Sequence, residues 1–357
     1  MDKESYLVTG GCGLQGSHIV EKLRQQYPNA RVAVMSRQPE EQFAGVEYLS
    51  GDITKPDDIQ RVLDVCKPTV VFHCAGVMTV TRKPVKDEVV HAINFDGAKY
   101  MLEASQKAGV KAFVFTSSAS VVQRARGGIC AVANADETWS TVIPEDKVIA
   151  YPTAKAAAER LILAADTPGG MRTTALRPAL IYGERDNDII PMHIANLRGG
   201  RTWLQIGDNT NLFSATYAGN AADAHLLAAK RLLTDPDGVA AEPFFITNGQ
   251  DQPFWTFTRA SWRAAGDTTP ASQVRVISPV FASAIGWVLE WVAWARGTRP
   301  AMTRQTIGFV SRDRYFNITK ARTVLGYEPK VDWEDGIKRG VKVSRDYPKP
   351  IKILWLT

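Results

Sequence analysis

The chain reads as an α/β protein built on a doubly wound parallel Rossmann sheet with a smaller, discontinuous C-terminal substrate lobe, and three observations predict it. Short apolar runs alternate with helical patterns over the first half, as βαβ units feeding a parallel sheet require. A glycine-rich segment, Gly10-Gly11-Cys12-Gly13-Leu14-Gln15-Gly16, follows the first apolar run and opens the first helical pattern. After about Gly183 the alternation loosens, with Gly, Pro and Trp interrupting shorter runs.

Taken in order, strands are expected at 6–8, 31–35, 46–49, 70–73, 112–116 and 173–176. Helices are expected at 14–26, 57–66, 89–108 and 153–165, where apolar residues recur at three- and four-residue spacing. Right-handed crossovers then give a doubly wound sheet. Residues 215–233 predict a further helix and 244–248 a strand returning to the sheet. The expected division is a dinucleotide-binding domain of residues 1–184, to which 214–248 return, and a lobe of residues 185–213 and 249–357.

Composition sets the class. With 357 residues, 45% hydrophobic and 22% charged, the chain is globular rather than disordered or multiply membrane-spanning. A formal charge of +6 raises nucleic acid as a partner, but the basic residues are scattered. Their densest run, 338–352, is broken by Asp346 and two prolines and reads as a solvated surface. No nucleic-acid partner is expected. Four cysteines and five histidines lack CxxC, HxxxH or HExxH spacing, so neither a metal site nor a redox pair is expected. The N-terminus has no basic stretch followed by an apolar one, which points to a cytoplasmic, reducing setting.

The glycine turn suits a dinucleotide. Gly10 permits the tight turn, Gly13 lets the backbone approach a pyrophosphate, and Gly16 allows close packing of helix on sheet. The helix opening at Leu14 would add amide donors and a favourable dipole. Asp52 and Ile53, after the third strand, fall where an adenine would lie, and Ala75 and Gly76 close the fourth strand beside a cofactor. Each pair also reads as an ordinary strand terminus. Tyr151 and Lys155, at i and i+4, share a helical face, so the ammonium can lower the phenol's pKa and reach a ribose. Upstream, Thr116-Ser117-Ser118-Ala119-Ser120 ends the fifth strand in a hydroxyl cluster.

These motifs, with His73-Cys74-Ala75-Gly76 and Arg177-Pro178-Ala179-Leu180-Ile181-Tyr182-Gly183, occur in the order found in extended short-chain dehydrogenases/reductases, which the chain resembles. The resemblance makes Ser118, Tyr151 and Lys155 the catalytic set, Asn94 a polar residue beside the cofactor, and Pro178 to Ile181 a loop next to the nicotinamide. Within that group the chain is similar to 3β-hydroxysteroid dehydrogenases, especially the sterol-4α-carboxylate 3-dehydrogenases (decarboxylating). The residues that carry this are Asp186-Asn187-Asp188-Ile189-Ile190-Pro191, Gln252-Pro253-Phe254-Trp255-Thr256-Phe257 and Tyr315-Phe316-Asn317-Ile318-Thr319-Lys320-Ala321-Arg322, with Leu325-Gly326-Tyr327-Glu328-Pro329. The resemblance implies interconversion of a secondary alcohol and a ketone on a bulky apolar sterol- or terpenoid-like molecule. A ketoreductase of a meroterpenoid pathway fits the same motifs. A non-enzymatic dinucleotide sensor would not need the Ser, Tyr and Lys set.

Two features leave alternatives open. The second strand runs into Ser36-Arg37 instead of an acidic residue, which favours NADP through its 2′-phosphate, while an exposed loop arginine with NAD bound by other contacts is the competing reading. Residues 279–295 are apolar nearly all round and carry Trp287, Trp291 and Trp294. They read as a core or lid helix, or as a peripheral contact with a membrane such as the endoplasmic reticulum. A homodimer is compatible with either.

Overall fold

The computed structural model describes residues 1–78, 85–123, 130–146, 148–296, 298 and 302–346. Five strands lead the chain, β1 (Ser5–Thr9), β2 (Arg31–Ser36), β3 (Glu47–Ser50), β4 (Val70–His73) and β5 (Ala112–Thr116), followed later by Arg172–Pro178 and Pro243–Ile246. They form one seven-stranded sheet in the order Pro243–Ile246, Arg172–Pro178, β5, β4, β1, β2, β3. Every pairing in it is parallel.

Alternation within the strands explains why both faces are covered. Tyr6, Val8, Val34, Phe72 and Val114 bury on one side, against the helices α1 (Leu14–Gln26) and Ala218–Thr234. Leu7, Ala33, Val71 and Phe113 bury on the other, against α2 (Pro56–Cys66), Gly97–Lys107 and Ala150–Ala164. Near-continuous apolar runs are therefore what this sheet demands.

Two expected helices are divided. The helix expected at 89–108 is Asp87–His91, a π-turn over Ala92–Asp96, and Gly97–Lys107. The π-turn coincides with Asn94, whose amide is spent on the backbone of Val77, a use that periodicity cannot reveal. Gly97 then lets Ile53 pack where a Cβ would come within 2.9 Å of its Cδ1. The helix expected at 215–233 begins as a strand, Ala215–Tyr217, paired with Leu180–Tyr182, before Ala218–Thr234 coils.

The later part of the chain adds a four-stranded sheet ordered Gln252–Pro253, Leu212–Phe213, Arg314–Phe316, Val132–Ala135, with its own apolar cluster around Phe213, Phe254, Phe257 and Ile307. The helix Pro279–Ala295 presents an inverted pattern. Its small residues Ala282, Gly286 and Ala293 are buried, and a Cβ on Gly286 would come within 2.9 Å of Ile307 Cδ1. Val280, Phe281, Trp287, Trp291 and Trp294 stand exposed. Close approach through small residues turns the large ones outward, so the aromatic stripe is not core packing.

Candidate active site

The glycine turn and the strand beside it fit tightly. Gly10 adopts φ +69°, and a Cβ there would lie 2.9 Å from the backbone of Ala75. A Cβ on Gly16 would collide with the carbonyl oxygen of Gly10, and one on Gly13 would sit 3.2 Å from it. Gly13 caps α1 without a side-chain acceptor, so the amides opening the helix at Leu14 keep no intrahelical partner. Beside them the buried Gln15 side chain has neither its oxygen nor its nitrogen hydrogen-bonded. A cradle without side chains, free amides and an orphaned polar group are what a dinucleotide pyrophosphate needs.

Ser36 ends β2 and Arg37 follows it, exposed. Both tie to β3 through backbone acceptors, Ser36 O receiving Gly51 N at 2.9 Å and Arg37 O receiving the Ser50 hydroxyl at 3.2 Å. The Asp52 carboxylate accepts from the amide and hydroxyl of Thr54 at 2.9 and 2.8 Å. Burial works against its ionisation, but the Thr54 hydrogen bonds, with Arg37 and Lys55 nearby, outweigh that and hold it below the ordinary range.

At the other end of the sheet's carboxyl edge, several singled-out residues converge. The amide of Ala75 donates to Thr9 Oγ1 at 3.3 Å. A Cβ on Gly76 would come within 2.8 Å of Asn94 Oδ1 and 3.3 Å of Lys155 Nζ, so only glycine lets these three meet. Asn94 both accepts from Val77 N (3.1 Å) and donates to Val77 O (2.8 Å), fixing the chain after β4. Pro178 ends its strand opposite Ile246, and Ile181 pairs with Thr216.

Tyr151 and Lys155 lie on the helix Ala150–Ala164, which starts three residues earlier than periodicity suggested and so takes in Tyr151. Tyr151 is hydrogen-bonded to Ser118, whose hydroxyl also caps the turn Ala119–Val122 and lies 2.9 Å from Ser120 Oγ. Burial raises the phenol's pKa, and the Ser118 contact partly offsets it. The ammonium of Lys155 donates to Thr116 O at 2.8 Å and lies over the Phe115 ring. Burial lowers its pKa to about 8, against the opposing charges of Cys74 and Glu159. The ammonium is thus turned to the carbonyl at the end of β5, one turn of helix from Tyr151.

Sequence reasoning missed Glu159. One turn beyond Lys155 on the same face, its carboxylate accepts from Ser117 Oγ at 2.6 Å and from Arg177 at 2.6 to 3.2 Å, with all three residues buried. It joins the helix to the ends of β5 and the strand Arg172–Pro178. The signal was present: a carboxylate at i+8 in an alanine-rich run, and an arginine inside an apolar strand. His73, bonded to Thr9 Oγ1, and His225, bonded to Thr116 Oγ1, brace the same strand ends and were likewise not singled out.

Family and fold together make the chain an oxidoreductase of the extended short-chain dehydrogenase/reductase class that acts on a CH–OH group. The chain belongs to the 3-beta hydroxysteroid dehydrogenase/isomerase family, whose profile matches residues 7–276. It is similar to the sterol-4-alpha-carboxylate 3-dehydrogenase (decarboxylating) of Saccharomyces cerevisiae, 37% identical over 94% of this chain and 96% of the relative. The Schizosaccharomyces pombe protein of the same description is 38% identical over 95% and 97%. Among solved structures, Thermus thermophilus UDP-glucose 4-epimerase in complex with NAD superposes with a TM-score of 0.71 at 24% identity, covering 95% of this chain and 98% of that one.

Proposed function

We propose that the protein oxidises the 3-hydroxyl of a sterol bearing a carboxylate on the adjacent carbon, with loss of that carboxylate as carbon dioxide. The hydrogen-bonded Ser118–Tyr151 pair beside buried Lys155 carries this reading, in a chain that matches relatives named for that reaction over nearly its whole length. Gly10, Gly13, Leu14 and Gly16 would hold the pyrophosphate, Asp52 and Ile53 the adenine end, and Ala75, Gly76, Asn94, Pro178 and Ile181 the nicotinamide end. When bound, the dinucleotide supplies the hydride acceptor.

Ser118 and Tyr151 hold the alcohol oxygen, and Tyr151 takes its proton. Burial alone makes the phenol too weak an acid for this, so Lys155 must act on it. Among the described residues its ammonium donates to Thr116, and its other N–H groups would bring positive charge to the phenol and to a ribose. Once the carbinol carbon is a ketone, the bond to the neighbouring carboxylate can break with its electron pair passing to the ketone oxygen. The resulting enolate is then reprotonated at carbon. No additional acid or base is needed for that step.

NADP is the cofactor we favour, because Ser36 offers a hydroxyl and exposed Arg37 a guanidinium where an NAD-specific site would place a carboxylate. The outward aromatic face of Pro279–Ala295, followed by Arg296 on a chain of formal charge +6, supports a peripheral lipid contact. Among the described residues no helix is long and apolar enough to cross a membrane. Co-sedimentation with anionic vesicles, lost in Trp291→Ser/Trp294→Ser, tests that contact.

The substrate reading is tested by offering a 4-carboxy-3-hydroxysterol, its decarboxylated analogue and a terpenoid ketone while following carbon dioxide and reduced nicotinamide together. Equal yields of both from the carboxysterol are expected. Activity confined to the ketone would favour a ketoreductase, and activity confined to nucleotide sugars would refute a sterol substrate.

A further inference from the structure

Among the described residues Arg314 is a buried cation without an anion beside it. It opens the strand Arg314–Phe316, is 9% exposed, and its Nε has no hydrogen-bond partner. No carboxylate pairs with it among the described residues, and the guanidinium instead covers the Phe309 ring at 4.3 Å. Arg177, the other deeply buried guanidinium, has Glu159 for its counter-ion. An unpaired buried charge is costly, and a ring face compensates only a small part of that cost. Burial lowers the pKa of Arg314 to about 10, which still leaves it charged at neutral pH.

Its place in the fold turns that anomaly toward the site. Arg314 pairs with Val132 and with Phe213. Two residues after Phe213, Ala215 pairs with Leu180, just beyond Pro178. Phe316, on the same side of the strand as Arg314, packs in the cluster that contains Val121 and Val122 of the Ser118 turn. Arg314 thus sits on the strand that links neighbours of the Ser118 turn to the segment that follows Pro178. Phe309, Phe213 and Phe254, with centroids 5.3 to 5.9 Å apart, build an aromatic wall beside it. One fixed positive charge against an apolar wall matches an apolar body carrying a single anionic group.

We propose that Arg314 receives the carboxylate of the substrate, an assignment that rests on the carboxysterol reading above. Pairing compensates the buried charge and orients the carbon that bears the carboxylate. Departure of neutral carbon dioxide removes the partner, so the residue distinguishes substrate from product.

The test compares Arg314→Met and Arg314→Lys with the unmodified full-length protein on a 4-carboxy-3-hydroxysterol and on the same sterol without the carboxylate. Arg314→Met should raise KM for the acid by roughly 10²-fold, the scale of a charge-assisted hydrogen-bonded pair. KM for the uncharged sterol should change little, and Arg314→Lys should fall between. Equal losses on both sterols, or none on either, would overturn the assignment. Should Arg314→Met fail to fold, binding of the acid and of its methyl ester to the unmodified protein decides whether an anion is recognised. Indifference to the ester overturns the proposal, whereas a preference for the acid that survives unreduced in Arg314→Lys assigns the anion site elsewhere and also overturns it. A protein that binds the acid through Arg314 without oxidising it sinks the reaction reading and leaves this one standing.

Discussion

Replacing Glu159 with Gln should have two separable effects. Glu159 is 1% exposed and accepts three hydrogen bonds from Arg177 and one from Ser117. The substitution strands a buried guanidinium, at a cost of about 3–5 kcal/mol. With about 2.1 cal/mol/K of unfolding entropy per residue, a chain of 357 residues loses stability at about 0.75 kcal/mol per degree, so Tm should fall by roughly 4–7 °C. The second effect concerns Lys155. Burial lowers its pKa to about 8 while the Glu159 charge opposes that shift, so removing the charge lets the ammonium lose its proton at lower pH. The alkaline limb of kcat/KM should therefore move to lower pH. Calorimetry and a pH–rate profile read the two effects, and the double variant Glu159→Gln/Arg177→Met separates them. It removes the stranded charge and should recover much of the Tm while keeping the displaced limb. An unmoved limb in both variants would refute an electrostatic role for Glu159, and an unmoved Tm would refute the buried pair.

Gly16→Ala would drive a Cβ into the Gly10 carbonyl, so dinucleotide affinity, read by nicotinamide fluorescence, should fall roughly 10-fold or more; unchanged affinity would contradict the cradle. Burial lowers the pKa of His18, His193 and His225 to about 4 and of His73 to about 3. The unfolded chain takes up these protons near pH 6.5 and the folded one does not until about 4 or below, so stability falls as pH drops through that window, by about 2 kcal/mol per histidine at pH 5. A urea midpoint that stays constant from pH 7 to 5 would contradict this. Ser36→Asp combined with Arg37→Gln should shift preference toward NAD, as measured by the ratio of kcat/KM for the two cofactors; strong NAD preference in the unmodified protein would show that Arg37 does not read a phosphate.

Much of the sheet and the glycine turn was legible in the sequence, because both depend on local pattern. Apolar runs must form strands covered on both faces, and Gly10 and Gly16 occupy positions where a Cβ has no room. The i, i+4 pairing of Tyr151 and Lys155 needs only helical geometry. What escaped depends on partners far apart in the chain. Glu159 matters through Ser117, 42 residues away, and Arg177, 18 residues away. Asn94 interrupts its helix because of Val77. The Pro279–Ala295 helix is apolar on most sides, so composition could not say which side meets protein; Gly286 against Ile307 settles it. Arg314 stood beside the motif Tyr315–Arg322 without attracting notice, since its missing counter-ion shows only in three dimensions.

In the proposed reaction Tyr151 is the group that takes the alcohol's proton. Its test is Tyr151→Phe, with turnover and dinucleotide affinity measured on the same preparation and Ser118→Ala as a companion. Turnover should fall by roughly 10²-fold or more, the usual scale for losing a general acid or base, with affinity little changed and a smaller loss in Ser118→Ala. Near-normal turnover in Tyr151→Phe would show that another group takes the proton.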